Sequence, residues 1–259
     1  MRKSAASGTI ITLVLGVFGA FFRWLQNTSA FDPDTGFFLS GRPITAVLIV
    51  YYVLAAAAIC IGVPMLLRQY TCPSDVRALR CSTVIPTGIC WLLAVLFVLA
   101  SCVMMFSADL TPYPTAQRLL GAAGILAGLC FPLLPGKRDG SAAGLARPAA
   151  AFMTLFCSYW LVYCYRVHSS DPIIWGFAIE ILAVAATAVA MYYAASFHYG
   201  AAKPIRAIAA AALAAFFNLA TLFDSRSTAS LLMTVCMAAW MLLLEYLLLE
   251  NLEETPRTH

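Results

Sequence analysis

The sequence predicts an all-α fold: a polytopic membrane helix bundle of about eight transmembrane helices, with both termini cytoplasmic. Three observations predict it. Of the 259 residues, 62% are hydrophobic and 11% charged, against about 45–50% and about 25% in a soluble domain. The 16 Lys+Arg and 12 Asp+Glu are gathered into clusters, and the apolar runs between clusters reach the roughly 20 residues that a spanning helix needs. The basic clusters also fall alternately on two sides of the membrane, in the pattern of the positive-inside rule. This composition excludes an ordinary soluble domain, a disordered chain and a strongly basic nucleic-acid binder.

Taken in order, the first segment runs Gly8–Gln26 and follows Arg2 and Lys3. It resembles a signal peptide, but Arg23 and Trp24 stand between its apolar stretch and the small residues Thr28-Ser29-Ala30, so it is read as a retained anchor. The second runs Pro43–Leu67 and the third Thr83–Ser107. The fourth, Thr115–Leu134, is rich in glycine. Its Gly124 and Gly128, with Gly121 before them, form a small-residue face for close helix approach, as do Gly16 and Ala20 on the first. The fifth runs Pro148–Arg166, the sixth Pro172–His198, the seventh Ile205–Phe223 and the eighth Thr228–Glu250. Each is apolar around its circumference, and none alternates as a barrel strand would.

Eight spans place 11 basic residues on the inner side and 5 on the outer, the latter being Arg23, Arg42, Arg118, Arg166 and Arg226. One span more or fewer would spoil the alternation. No connection is long enough for a separate domain, so residues 1–259 form one bundle. A faint echo relates 1–134 to 148–250: Arg23 leads to Ser29-Ala30-Phe31-Asp32-Pro33, and Arg166 to Ser169-Ser170-Asp171-Pro172. Two parallel four-helix halves would produce it, and so would the ordinary turn residues of helix ends.

An ionisable residue inside a span marks a candidate site, because placing it there costs roughly 2.5–3.5 kcal/mol. Glu180 is eight residues past Pro172, about 12 Å into its helix, and is the one charge expected deep in a span. Asn218, five residues before Phe223, lies about 8 Å from the same outer end. Arg23, Arg118 and Arg166 sit near outer helix ends, free either to snorkel or to turn toward Glu180. The expected ligand site has Glu180 and Asn218 as its floor, one of these arginines above, and Trp24, Trp160 and Trp175 at the rim. A buried Glu–Arg pair under an interfacial tryptophan belt uses the same residues.

Chemical signatures are otherwise absent. The nine cysteines contain no CxxC pair and read as small packing residues. Asp32-x-Asp34-x-Gly36 lacks the later ligands of a calcium loop, with Phe37 and Pro43 at the positions that need Gly and an acid. It reads as a proline-set turn. No HExxH, GxSxG or GxxxxGK[ST] is present, and neither cofactor nor metal is expected. Glu245, Glu250, Glu253 and Glu254 crowd the inner end of the last span. There they oppose the helix dipole, and make sense against Arg77, Arg80, Lys137 or Arg138, or as a solvated end.

The stretch from Arg23-Trp24 through Ala30-Phe31-Asp32-Pro33-Asp34-Thr35-Gly36 resembles a recurrent segment in multi-pass membrane proteins of clostridial-type bacteria. The resemblance implies a bacterial cytoplasmic membrane and carries no activity or site. Three functional readings stay open. The first is a transport-like protein that binds or moves a small solute or lipid, alone or as the membrane subunit of a larger assembly. The second is an enzyme of lipid headgroups using Glu180 with Asp32, Asp109, Asp171 or Asp224 as acid and base. The third is a ligand-free scaffold or sensor. The partners expected are the bilayer, a small solute or lipid, and a membrane-protein partner or a second copy, with no nucleic acid.

Overall fold

The computed structural model describes residues 2–32, 35, 37–71, 76–108, 112–135, 143–169 and 171–254. Pro33, Asp34, Gly36, Cys72, Asp109, Lys137, Arg138, Ser170 and Arg257 lie outside the described residues. The described chain is helical almost throughout: α1 (Arg2–Ser29), α2 (Pro43–Leu66), α3 (Val84–Phe106), α4 (Pro114–Cys130), α5 (Ala143–Val167), α6 (Ile174–His198), α7 (Pro204–Ala220) and α8 (Thr228–Glu250). Seven helices are long and apolar enough to cross a membrane, α4 together with the 3-10 turn that extends it to Leu133, and α7 is a shorter apolar helix.

Local chemistry explains the boundaries. Pro43, Pro114 and Pro204 open α2, α4 and α7, where the missing N–H would have had no helical partner. Ser227 caps α8 by accepting a hydrogen bond from the Ser230 backbone N–H at 3.2 Å. Within α2, Pro64 follows a π-helical turn at Ala58–Gly62. The proline cannot donate to the turn before it, and the wider turn absorbs that break. Helix α5 starts at Ala143 rather than at Pro148, so the proline lies inside its second turn and removes one intrahelical hydrogen bond there.

The helix α7 is central. It packs against α1, α6, α8 and the second half of α2. At 17 residues it is only about 25 Å long, and its alanines at 207, 209, 211, 212, 214, 215 and 220 are buried. Small side chains let four neighbours approach one axis. On α1 the residues turned toward α7 and α8 recur at helical spacing: Thr12, Gly16, Gly19, Ala20, Arg23 and Gln26. A Cβ at Gly19 would meet Ala220 at 3.2 Å. The Tyr51 and Tyr52 hydroxyls of α2 donate to the carbonyls of Leu15 (2.6 Å) and Gly19 (3.2 Å), which pins α2 to α1. The glycines of α4 face α3, where a Cβ on Gly121 would meet Met105 and the Ser101 carbonyl. The small-residue faces of α1 and α4 therefore serve packing within the chain.

The outward surfaces are apolar. Ile10, Val14, Val17 and Phe18 of α1, Val50 and Leu54 of α2, and Leu92 and Leu99 of α3 are all exposed, which suits contact with lipid. The start of α1 and the end of α8 lie at one end of the bundle. Gly8 abuts Leu249, and Tyr70–Thr71 pairs antiparallel with Glu253–Glu254 in a two-residue ladder. The Asn251 amide donates to the carbonyls of Ala78 and Arg80, each at 3.0 Å, and the Ser82 hydroxyl donates to Glu250 at 2.8 Å. The acidic tail thus docks on the α2–α3 connection. Glu245 does not join it. Glu245 is 3% exposed inside the bundle and accepts from the Thr12 hydroxyl at 2.8 Å, so Glu180 is not the sole acid buried in a span.

Candidate functional site

The polar site lies at the end of the bundle opposite the chain termini. Arg23 reaches it because it continues the inward stripe of α1, one turn beyond Gly19 and Ala20. Its side chain is 1% exposed and every arm is used. Nε donates to Asp224 Oδ1 at 2.5 Å, Nη1 to Gln26 Oε1 at 2.6 Å, and Nη2 to the Gly176 carbonyl at 3.2 Å. Gln26 in turn donates to Thr45 at 3.2 Å. Snorkelling is thereby replaced by burial.

Asp224 is the hub. It sits in the α7–α8 connection with its side chain 4% exposed. Besides Arg23 it accepts from Arg226 Nη2 at 3.2 Å and from the Asn27 amide at 3.4 Å. Arg226 also donates through Nη1 to Thr234 at 3.0 Å. Its Nε points at Glu180 Oε2 from 3.6 Å, beyond hydrogen-bond length, and that buried Nε has no other partner. His168, from the α5–α6 connection, brings Nε2 to 3.6 Å from the same Glu180 oxygen. Its ring stacks on Phe177 at 4.7 Å. The other oxygen, Oε1, accepts from the Cys164 thiol at 3.7 Å.

Two arginines and two carboxylates thus alternate through the buried network, and their formal charges cancel. Alternation is what makes such burial tolerable, since each ion meets its opposite at contact distance. His168 is the outermost member, with its side chain 28% exposed. The arrangement offers, at one point, an acceptor in Glu180, an unpaired donor in Arg226 and an imidazole open toward the outside. Such a set has the chemistry to hold a small polar group or to pass a proton.

The other expected site residues fall elsewhere. Asn218 is buried but donates to the Thr187 hydroxyl and to the Ala214 carbonyl, each at 2.7 Å. Thr187 lies seven residues beyond Glu180, about 10 Å further along α6, so Asn218 ties α7 to α6 at mid-depth. Arg118 and Arg166 are exposed, and Arg166 lies over the Tyr113 ring at 5.2 Å. Of the three tryptophans, Trp160 is fully buried beside Phe156 and Cys164 and belongs to the core. Trp175 is half-buried against Phe38, which meets Phe31 edge-on at 5.6 Å. Phe31 and Phe38 pair in a β-bridge that folds the α1–α2 connection over this end. Trp24 lines an open apolar groove of about 490 Å³ with Phe21, Leu219 and Phe223.

In the sequence Arg226 reads only as an outer positive charge, Cys164 only as a packing residue, and His168 has no assigned role. No local signal singles them out, because their meaning comes from Glu180 on a different element. Of the other outer carboxylates, Asp171 accepts from the Ile173 backbone N–H at 2.8 Å and starts α6. Among the described residues no three His, Cys, Asp or Glu side chains gather as a metal site would require. No protein-family model, curated protein or solved structure matches the chain.

Proposed function

We propose that the chain is a multi-pass protein of a bacterial cytoplasmic membrane, with eight spans and cytoplasmic termini, that binds or moves a small solute or lipid through its Glu180 end. The observation that carries this is the unpaired Arg226 Nε facing Glu180 Oε2 across 3.6 Å, with His168 Nε2 equally far from that oxygen. Buried polar atoms are ordinarily hydrogen-bonded, and this ion pair is longer than a hydrogen bond, so the Arg226 Nε–H keeps its donor capacity for a polar atom that binds beside it. The 11-to-5 split of basic residues supports the orientation. The eighth span would be α7, whose short length is compatible with a central position away from lipid.

The test is native mass spectrometry of the chain released from its own lipid, compared with Glu180→Gln. We expect a stoichiometric small molecule on the wild type, and its loss from a folded Glu180→Gln protein. Equal retention by the mutant, or no bound molecule on either, would leave the network as a structural ion-pair cluster and remove the reading.

A further inference from the structure

A second polar site lies in the other half of the bundle, toward the chain termini. There the last turn of α6 meets α8 and the short 3-10 turn Phe131–Leu133 that follows α4. The contact leaves a small, partly open cavity lined by Leu79, Leu134, Ala194, His198, Trp240 and Leu244, among others. It leaves about 10 Å³ open to the centre of a water-sized sphere, which is the room that one water needs.

Two polar atoms on this lining have no partner: His198 Nε2 and Trp240 Nε1. Both residues are almost wholly buried, at 4% and 1% exposed. Their chemistry is complementary. The His198 ring lies against the Leu134 backbone carbonyl, which favours the ring proton on Nδ1, the nitrogen other than the unpaired Nε2. Nε2 of the neutral ring is then an acceptor. The Trp240 indole N–H can only donate, and Phe131 meets its ring edge-on at 5.1 Å. A single heavy atom that accepts one hydrogen bond and donates another satisfies both. Larger ligands exceed the space, and an ion would meet only apolar walls otherwise.

We propose that this cavity is a buried-water site, in which one water accepts from Trp240 Nε1 and donates to His198 Nε2. The helices α6 and α8 touch each other only sparsely, so the water is the polar tie between them at this depth. It would anchor the far end of the same helix that carries Glu180, and it is independent of any solute there.

The test uses the full chain in detergent micelles with 15N-labelled tryptophan. The chain has five tryptophans, and Trp240→Phe assigns the relevant indole signal. We expect a cross-peak between the Trp240 indole proton and a long-lived water. Ala194→Ser adds one oxygen at the cavity wall in place of the water, and should abolish that cross-peak while leaving the indole signal hydrogen-bonded. Absence of a water cross-peak in the wild type would overturn the proposal. So would its undiminished survival in Ala194→Ser, which would put the water elsewhere.

Discussion

Replacing Asp224 by Asn tests the charge network at its hub. The substitution keeps the size of the side chain and one acceptor oxygen, but removes the charge that holds two guanidiniums. Arg23 is 1% exposed and Arg226 5% exposed at their side chains, so neither can recover water. Glu180 would be left as the remaining carboxylate, 3.6 Å from Arg226. Removing one partner of a buried pair costs about 3–5 kcal/mol. The amide oxygen of Asn retains part of one hydrogen bond, so the low end, about 3 kcal/mol, is expected. The assay is reversible unfolding of the purified chain in mixed micelles, followed by helical circular dichroism. Arg226→Met should couple to it, because it removes one of the stranded charges. The double variant should cost less than the sum of the singles by about 0.5–3 kcal/mol. A loss below about 1 kcal/mol, the value of an exposed pair, would refute the buried network. Strict additivity would refute the shared hub.

Two further outcomes follow from packing and from thiol chemistry. Gly121→Ala should destabilise the chain by about 1–3 kcal/mol, because its Cβ would stand 2.8 Å from the Met105 backbone N and the Ser101 carbonyl, which cannot swing aside. Gly88→Ala meets nothing within 4 Å and should be neutral or slightly stabilising by helix propensity, so melting temperatures of the two variants should separate. In the α2–α3 connection, a hydrogen bond with the Cys90 thiol holds Cys81 down to about 7, below the ordinary thiol value. Its alkylation rate by iodoacetamide should rise with a midpoint near that pH, and Cys90→Ala should move the midpoint upward. A midpoint unchanged in Cys90→Ala would remove Cys90 as the cause. Since the folded value is depressed, the linked stability is fully present above the unfolded thiol pKa and is lost as pH falls through about 7.

The helices were legible because hydropathy is a property of local composition. The eight apolar runs read from the sequence correspond to the helices α1–α8, with ends shifted by a few residues at Ser29, Ala143 and Ala220, and seven of the eight are long and apolar enough to cross a membrane. Proline at Pro43, Pro114 and Pro204 marks helix starts by a local rule that needs no neighbour. Glu180 was legible as a costly residue in an apolar run. The inward direction of Arg23 was within reach as well, since Gly16, Gly19 and Ala20 announce the packed face one turn earlier.

Partnership is the other kind of information. Nothing near Glu180 in the chain predicts Arg226, 46 positions later by number, or that Asp224 would serve two arginines. Arg166 resembles Arg23 in the sequence, at the end of an apolar run, yet one is exposed and the other fully buried. Trp160, Trp175 and Trp24 read alike as a belt and ended in the core, under the α1–α2 connection and beside an open groove. Composition and length alone determine that these runs are apolar helices, seven of them long enough for a bilayer, because backbone hydrogen bonds and apolar surface must be satisfied within each run. Which polar residue meets which is settled by side chains interlocking across helices distant in sequence. For that reason the charges of this chain acquire their pairing only once α7 is enclosed by α1, α6 and α8.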